Sequence, residues 1–163
     1  MINSFIKRGT SWKYLVEAYQ VCTQKYAKLL FNFGLTPSQL DVLIQIELLG
    51  DQARPKLIAE GLLVTKGNIT SVTKRLIERN IISQQSDTED LRSAVFRITP
   101  QGDNVLQNAK KAAKAFIDAQ LAPFSDEEVQ LVGELMKKMR RHLESKGFDD
   151  ALVNIQSSAA AKE

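Results

Sequence analysis

A chain of 163 residues, 44% hydrophobic and 25% charged, has the composition of an ordinary soluble protein of one domain, with room for an appended interface element. No apolar run approaches the roughly 20 residues needed to span a bilayer. The start M-I-N-S-F-I-K-R lacks a signal peptide's long apolar core, so a cytoplasmic protein without a membrane partner is expected. A single Cys excludes an internal disulfide, and one Cys with one His leaves no Cys/His zinc site within one subunit. No metal and no other cofactor is expected.

Ser11 to Phe33 reads as one long helix. Trp12, Leu15, Tyr19, Cys22, Tyr26, Leu29 and Phe33 form a heptad seam, and Val16, Ala18, Ala27 and Leu30 widen it. So broad an apolar face needs a large surface to pack on, and a second subunit is one candidate. Gly34 stops the helix. Thr36-Pro37-Ser38-Gln39 then supplies a cap, a first-turn proline and a capping-box glutamine for a second helix. Its core face is read as Leu40, Leu43, Ile44 and Leu48, with Ile46 a further member, and Gly50-Asp51 breaks it. Arg54-Pro55 opens a short helix over Lys56–Leu62. Only Leu63 and Val64 separate that helix from Thr65, the cap of the next, a spacing that suits a helix-turn-helix.

The stretch from Val64 to Thr99 organises the rest. Ile69, Val72, Leu76 and Ile77 share one helical face, while Lys66, Asn68, Thr70, Ser71, Lys74 and Arg75 occupy the opposite one. Asn80 ends the helix because Asn tolerates the left-handed conformation. Two β-prone runs follow, Ile81–Gln85 and Ala94–Thr99, joined by the polar segment Ser86–Ser93. From Arg54 to Arg97 the chain carries eight cations against five anions. That local excess equals the whole chain's net charge of +3, which is where a nucleic-acid footprint would sit.

Thr99-Pro100 begins another helix running towards Leu121, with Val105, Leu106, Ala109, Ala112, Ala113, Phe116 and Ile117 on its buried side. After Pro123, the capping box Ser125-Asp126-Glu127-Glu128 opens a last long helix, read as burying Val129, Val132, Leu135, Met136, Met139 and Leu143. Gly147 ends it. The tail from Phe148 is expected to be partly disordered.

With these residues in order, the sequence resembles the multiple-antibiotic-resistance regulator (MarR) family of winged-helix transcription factors, over about Ser11 to Leu143. The most specific match is Asp90-Leu91-Arg92 followed by Ile98-Thr99-Pro100-Gln101-Gly102. Gly34–Leu40 and Leu57–Leu62 also match family positions. The resemblance implies a mainly α fold with a small β-hairpin wing: a winged helix-turn-helix with N- and C-terminal dimerisation helices. Residues 1–33 and 100–147 would form the dimer, 34–99 the DNA-binding lobe and 148–163 the tail. It implies a homodimer on a double-stranded DNA operator, probing a major groove with each recognition helix and a minor groove with each wing, and a pocket for a small aromatic or phenolic effector.

The residues are compatible with those roles. Lys66, Lys74 and Arg75 are placed to meet phosphates or base edges, and Asn68, Thr70 and Ser71 to hydrogen-bond bases or backbone. Asp90 and Arg92, two apart in an extended segment, project to one side, so that Asp90 orients the Arg92 guanidinium for a narrow minor groove. Arg97 is read as a phosphate contact. Ser71 stands where the family commonly has Arg, which leaves the base-reading chemistry open, with Lys74 or Arg75 to compensate. Leu63 and Asn80 stand where Gly is usual.

Blander readings compete. A basic helix face is often only solvated surface. Trp12, Tyr19 and Tyr26 are candidate effector-pocket residues, but an aromatic stripe at heptad spacing is more often core or dimer interface. Cys22, on the same seam, is read as a buried, inert thiol, and His142 as a dipole-complementing or interface residue. No glycine-rich phosphate loop, nucleophile elbow or metal ligand set supports an enzyme. The function expected is therefore a ligand-responsive repressor, with a winged-helix protein-interaction module that has lost specific DNA binding as the alternative.

Overall fold

The computed structural model describes residues 2–86 and 94–160. Its elements run α1 (Ile2–Phe31), α2 (Pro37–Leu49), a 3-10 turn (Gly50–Gln52), α3 (Pro55–Leu62), α4 (Lys66–Glu78), β1 (Ile82–Ser86), β2 (Ala94–Ile98), α5 (Pro100–Leu121), α6 (Asp126–Leu143) and α7 (Lys146–Ala160). This is the mainly α, winged-helix architecture expected. The chain forms two compact units, Met1–Phe116 and Ile117–Glu163. No helix among the described residues is long and apolar enough to cross a membrane.

In the first unit α1 starts nine residues before the expected Ser11. Ser11 is interior to the helix: its Oγ donates to the Lys7 carbonyl at 3.0 Å, and Thr10 Oγ1 to that of Ile6 at 2.9 Å. Such back-bonding lets a hydroxyl residue sit within a helix. At the other end Gly34, at φ 65°, turns the chain, and the Leu35 amide donates to the Leu30 carbonyl. The Thr36–Gln39 capping box is made in both directions.

Leu30, Leu40, Leu43, Ile58, Ile69, Leu76, Ile81, Ile82, Phe96 and Leu106 form one core, joining α1, α2, α3, α4, the strands and α5. On α2 the expected face needs correction. Leu40, Leu43 and Ile46 are buried as expected, but Val42, left out of that face, is buried too and Leu48 is 72% exposed. Leu48 stands one heptad after Asp41 and three residues after Gln45, on the polar stripe of the helix, while α3, α4 and β2 pack against α2.

The strands pair antiparallel, with Ile82 opposite Ile98 and Gln84 opposite Phe96. The Phe96 amide also donates to the Ala53 carbonyl at 2.9 Å, tying β2 to the segment that precedes α3.

In the second unit Ser125 and Glu128 complete their capping box, and the His142 and Phe148 rings meet edge-on where α6 passes into α7. Two expectations change here. Residues from Phe148 to Ala160, read as a tail, belong to a helix. On α6, Val132, Leu135, Met136 and Leu143, expected inside, are each at least 39% exposed in the single chain. The helix is amphipathic, but its apolar side is exposed among the described residues.

Candidate nucleic-acid interface

The candidate interface is built on α4. Thr65 caps it, its Oγ1 accepting from the Asn68 amide, and the helix closes with Asn80 at φ 54° as its composition foretold. The turn into it is tighter than the sequence advertises. Leu63 adopts the left-handed conformation, φ 56° and ψ 40°, at the position where Gly is usual, with its side chain 69% exposed. That conformation costs a non-glycine residue about 1–2 kcal/mol.

One side of α4 is anchored. Ile69 and Leu76 are at most 1% exposed, and the buried Thr73 hydroxyl is satisfied by the Ile69 carbonyl at 2.8 Å. On the other side Lys66, Asn68, Thr70, Ser71, Lys74 and Arg75 are all exposed. The Thr70 hydroxyl donates to the Lys66 carbonyl at 3.1 Å. The side chains of Lys66, Ser71, Lys74 and Arg75 have no ion-pair or hydrogen-bond partner among the described residues. A rigidly seated helix thus offers four uncommitted polar heads and a set of hydrogen-bonding groups to solvent.

The hairpin stands beside α4. Asp90 and Arg92 lie outside the described residues. Arg97 is already engaged: its Nη1 donates to Asp51 Oδ1 in the 3-10 turn, and its Nε to Gln85 Oε1 at 3.0 Å. Between α4 and the hairpin runs a groove of about 490 Å³, with Pro55, Ile77 and Phe96 as apolar walls and Thr70, Lys74 and Glu78 at its polar edge.

Two further contacts fix α4, and sequence reasoning missed both. Arg79 Nη1 donates to the Gly34 carbonyl, joining the end of α4 to the turn after α1. The Thr99 hydroxyl donates to the Asn80 carbonyl at 2.7 Å and accepts from the Gly102 amide at 2.9 Å, so one oxygen links the end of α4 to the start of α5. Partners 45 and 19 residues apart leave no local pattern, although Thr99 was legible as a cap.

The aromatic residues of α1 are not brought together. Trp12 and Tyr19 are 63% and 68% exposed, whereas Tyr26 packs on Phe116 with ring centroids 5.2 Å apart. At 1.5 Å per residue, Trp12 and Tyr26 are separated by roughly 21 Å along the helix, too far for one small ring to touch both. Burial raises the Tyr26 pKa above its ordinary 10.0, and the neighbouring Asp41 and Cys22 add to the shift, so its hydroxyl stays protonated at neutral pH.

A family model described as MarR family matches residues 33–93, the stretch holding α2 to the first strand and the joining segment. An HTH-type transcriptional regulator of Bacillus anthracis is 31% identical over 139 residues, spanning 83% of this chain and 90% of its own length. Two solved structures share the fold. One is an organohalide-sensing transcriptional regulator in its 2,4-dichlorophenol-bound form, with TM-score 0.76 and 13% identity over 83% of this chain and 80% of that one. The other is a mutant of MarR from E. coli complexed with operator DNA, with TM-score 0.72 and 19% identity over 85% of this chain and 97% of that one. Similarity of this extent to a curated regulator, on a fold whose central helix presents an uncommitted cationic face, leads to one conclusion: the chain belongs to the MarR family of HTH-type transcriptional regulators.

Proposed function

We propose that this regulator is a homodimeric, ligand-responsive repressor that binds a pseudo-palindromic operator, with half-site centres about 34 Å apart. The observation that carries the reading is the two-sidedness of α4: Ile69 and Leu76 seat it, while Lys66, Asn68, Thr70, Ser71, Lys74 and Arg75 face outward with their chemistry unspent. Helices of this kind enter a major groove with their N-terminal residues nearest the bases. Lys66, Asn68, Thr70 and Ser71 are then the base-reading set, and Lys74 and Arg75 the phosphate anchors. Asp90 and Arg92 are assigned to the wing's minor-groove contact. A dimer covering a promoter excludes polymerase, which favours repression as the outcome.

Dimerisation is supported by the apolar residues of α1 and of α6 that are exposed among the described residues. In this reading residues 1–33 and 100–147 supply the dimer contacts, 34–99 the reading lobe, and α7 extends the C-terminal part. A small aromatic or phenolic effector is supported by the groove between α4 and β2: Phe96 and Ile77 suit a ring, and Lys74 suits an acidic substituent. The dichlorophenol carried by the structural relative is of that class. An effector there would bear directly on the pose of α4.

Selection of bound fragments from the source genome, combined with solution mass, tests the reading. The expected result is a species of twice 18.2 kDa enriching one inverted repeat. Arg92→Ala should weaken that binding without changing the mass. A dimer that enriches no motif would instead favour the protein-interaction module, for which Ser71 in place of the family's Arg is the one sign.

A further inference from the structure

We propose that Asp51 is a specificity-determining positioning residue that holds the Arg97 guanidinium on the protein and so withholds a sequence-independent phosphate contact from the wing. The proposal rests on the DNA-binding reading above and adds a role to a residue outside the interface.

The geometry is a two-sided grip. Arg97 lies on β2 opposite Ser83, and Gln85 opposite Val95, so Arg97 and Gln85 are diagonal neighbours on one face of the hairpin. Gln85 Oε1 takes the Nε hydrogen, and Asp51 takes one from Nη1, which orients the planar fork from both ends. Asp51 stands in the 3-10 turn, two residues before Ala53, whose carbonyl receives the Phe96 amide of the same strand. Side chain and main chain therefore moor β2 to one turn.

Stability is a poor explanation for this pair. Its side chains are 46% and 82% exposed, and exposed ion pairs contribute little net folding energy. Charge placement explains it better. A free arginine on the wing adds a contact that every DNA sequence offers equally, so it strengthens specific and non-specific binding alike and lowers their ratio once non-specific sites compete. With its charge compensated and two of its five N–H donors held by Asp51 and Gln85, Arg97 contributes shape to the wing instead of undirected attraction.

The test is a double-mutant cycle read by salt dependence. Asp51→Asn, Arg97→Gln and the double variant are titrated with operator DNA and with unrelated duplex from 50 to 200 mM salt. Glu78→Gln serves as a control for removing one exposed negative charge from the same lobe. Asp51→Asn should bind unrelated duplex several-fold more tightly, with a log–log salt slope steeper by about 0.9, an additional roughly threefold loss over that salt range. The ratio of operator to unrelated binding should fall, and in the Arg97→Gln background the same substitution should match Glu78→Gln. Thermal unfolding of each variant at fixed concentration checks that all are folded. If Asp51→Asn behaves like Glu78→Gln with Arg97 intact, the cycle is additive and the proposal is overturned while the DNA-binding reading stands. Failure of the wild-type protein to bind any duplex overturns both.

Discussion

The Ile81 carbonyl oxygen lies 1.9 Å from the point where a β-carbon on Gly102 would stand. No rotamer change relieves that overlap, because the obstructing atom is backbone. The glycine of the Thr99-Pro100-Gln101-Gly102 run is therefore a packing requirement, which lets the first turn of α5 press against the root of β1. Gly102→Ala should cost at least the 1–3 kcal/mol typical of overpacking. Urea unfolding at fixed protein concentration checks it; an unchanged midpoint would mean α5 has another way to seat.

Leu63 presents the opposite case. Its left-handed backbone is strained, and its largely exposed side chain gains little by being leucine. Leu63→Gly relieves about 1–2 kcal/mol of strain against a loss of 0.5–1 kcal/mol in unfolded-chain entropy. The expected net is a stabilisation of about 0.5–1 kcal/mol, read as a higher unfolding midpoint with the denaturant slope unchanged. A lower midpoint would show that the leucine packs on something the single chain lacks.

Glu47 on α2 joins Lys110 on α5 at 2.7 Å, and Gln107 donates to its other oxygen at 3.0 Å. The Lys110 hydrogen bond leads in holding the Glu47 carboxyl below its ordinary 4.5. A carboxyl lowered by folding contributes stability that is complete above its unfolded value and is lost as pH falls through the folded one. Wild-type protein should therefore lose more stability than Glu47→Gln between about pH 5 and pH 3. The partly exposed pair limits the difference to about 1 kcal/mol or less. Parallel melting curves at stepped pH settle the sign.

On α4 the two halves should respond differently to substitution. Lys74→Ala or Arg75→Ala is expected to weaken binding evenly across sequences and flatten the salt slope by about one phosphate contact each. Asn68→Ala or Ser71→Ala should change which bases are preferred, each costing about 1–3 kcal/mol at one position of the site. Binding profiles over a randomised half-site separate the two patterns. A sequence-selective loss at Lys74 would reverse the assignment.

Legibility from sequence followed the range of the interaction. The Thr36–Gln39 and Ser125–Glu128 boxes, the Thr65 cap and the left-handed Asn80 are formed between residues a turn apart, and each stood out. The pairing of β1 with β2 followed from two β-prone runs, the first shifted by one residue at both ends and the second ending one residue early. Legibility failed at two local features. The start of α1, expected at Ser11, lies earlier, and that hydroxyl bonds backward inside the helix; Leu48, expected on the core face of α2, shares a stripe with Asp41 and Gln45 and faces outward. It failed again where partners are remote: Asp51 with Arg97, and Arg79 with Gly34, are 46 and 45 residues apart. In the candidate site, the outward set on α4 was readable from periodicity alone. The engagement of Arg97 was not, because an exposed cation in a strand looks the same paired or free.

The two ends of α4 are held by different kinds of contact. Its first turn depends on the Thr65 cap and the strained bend at Leu63. Its last is bolted by Arg79 to Gly34, by Thr99 to Asn80 and by the buried Ile81. The residues that lead the helix are Lys66, Asn68 and Thr70. Amide hydrogens of the first two turns should accordingly exchange with solvent well before those around Leu76.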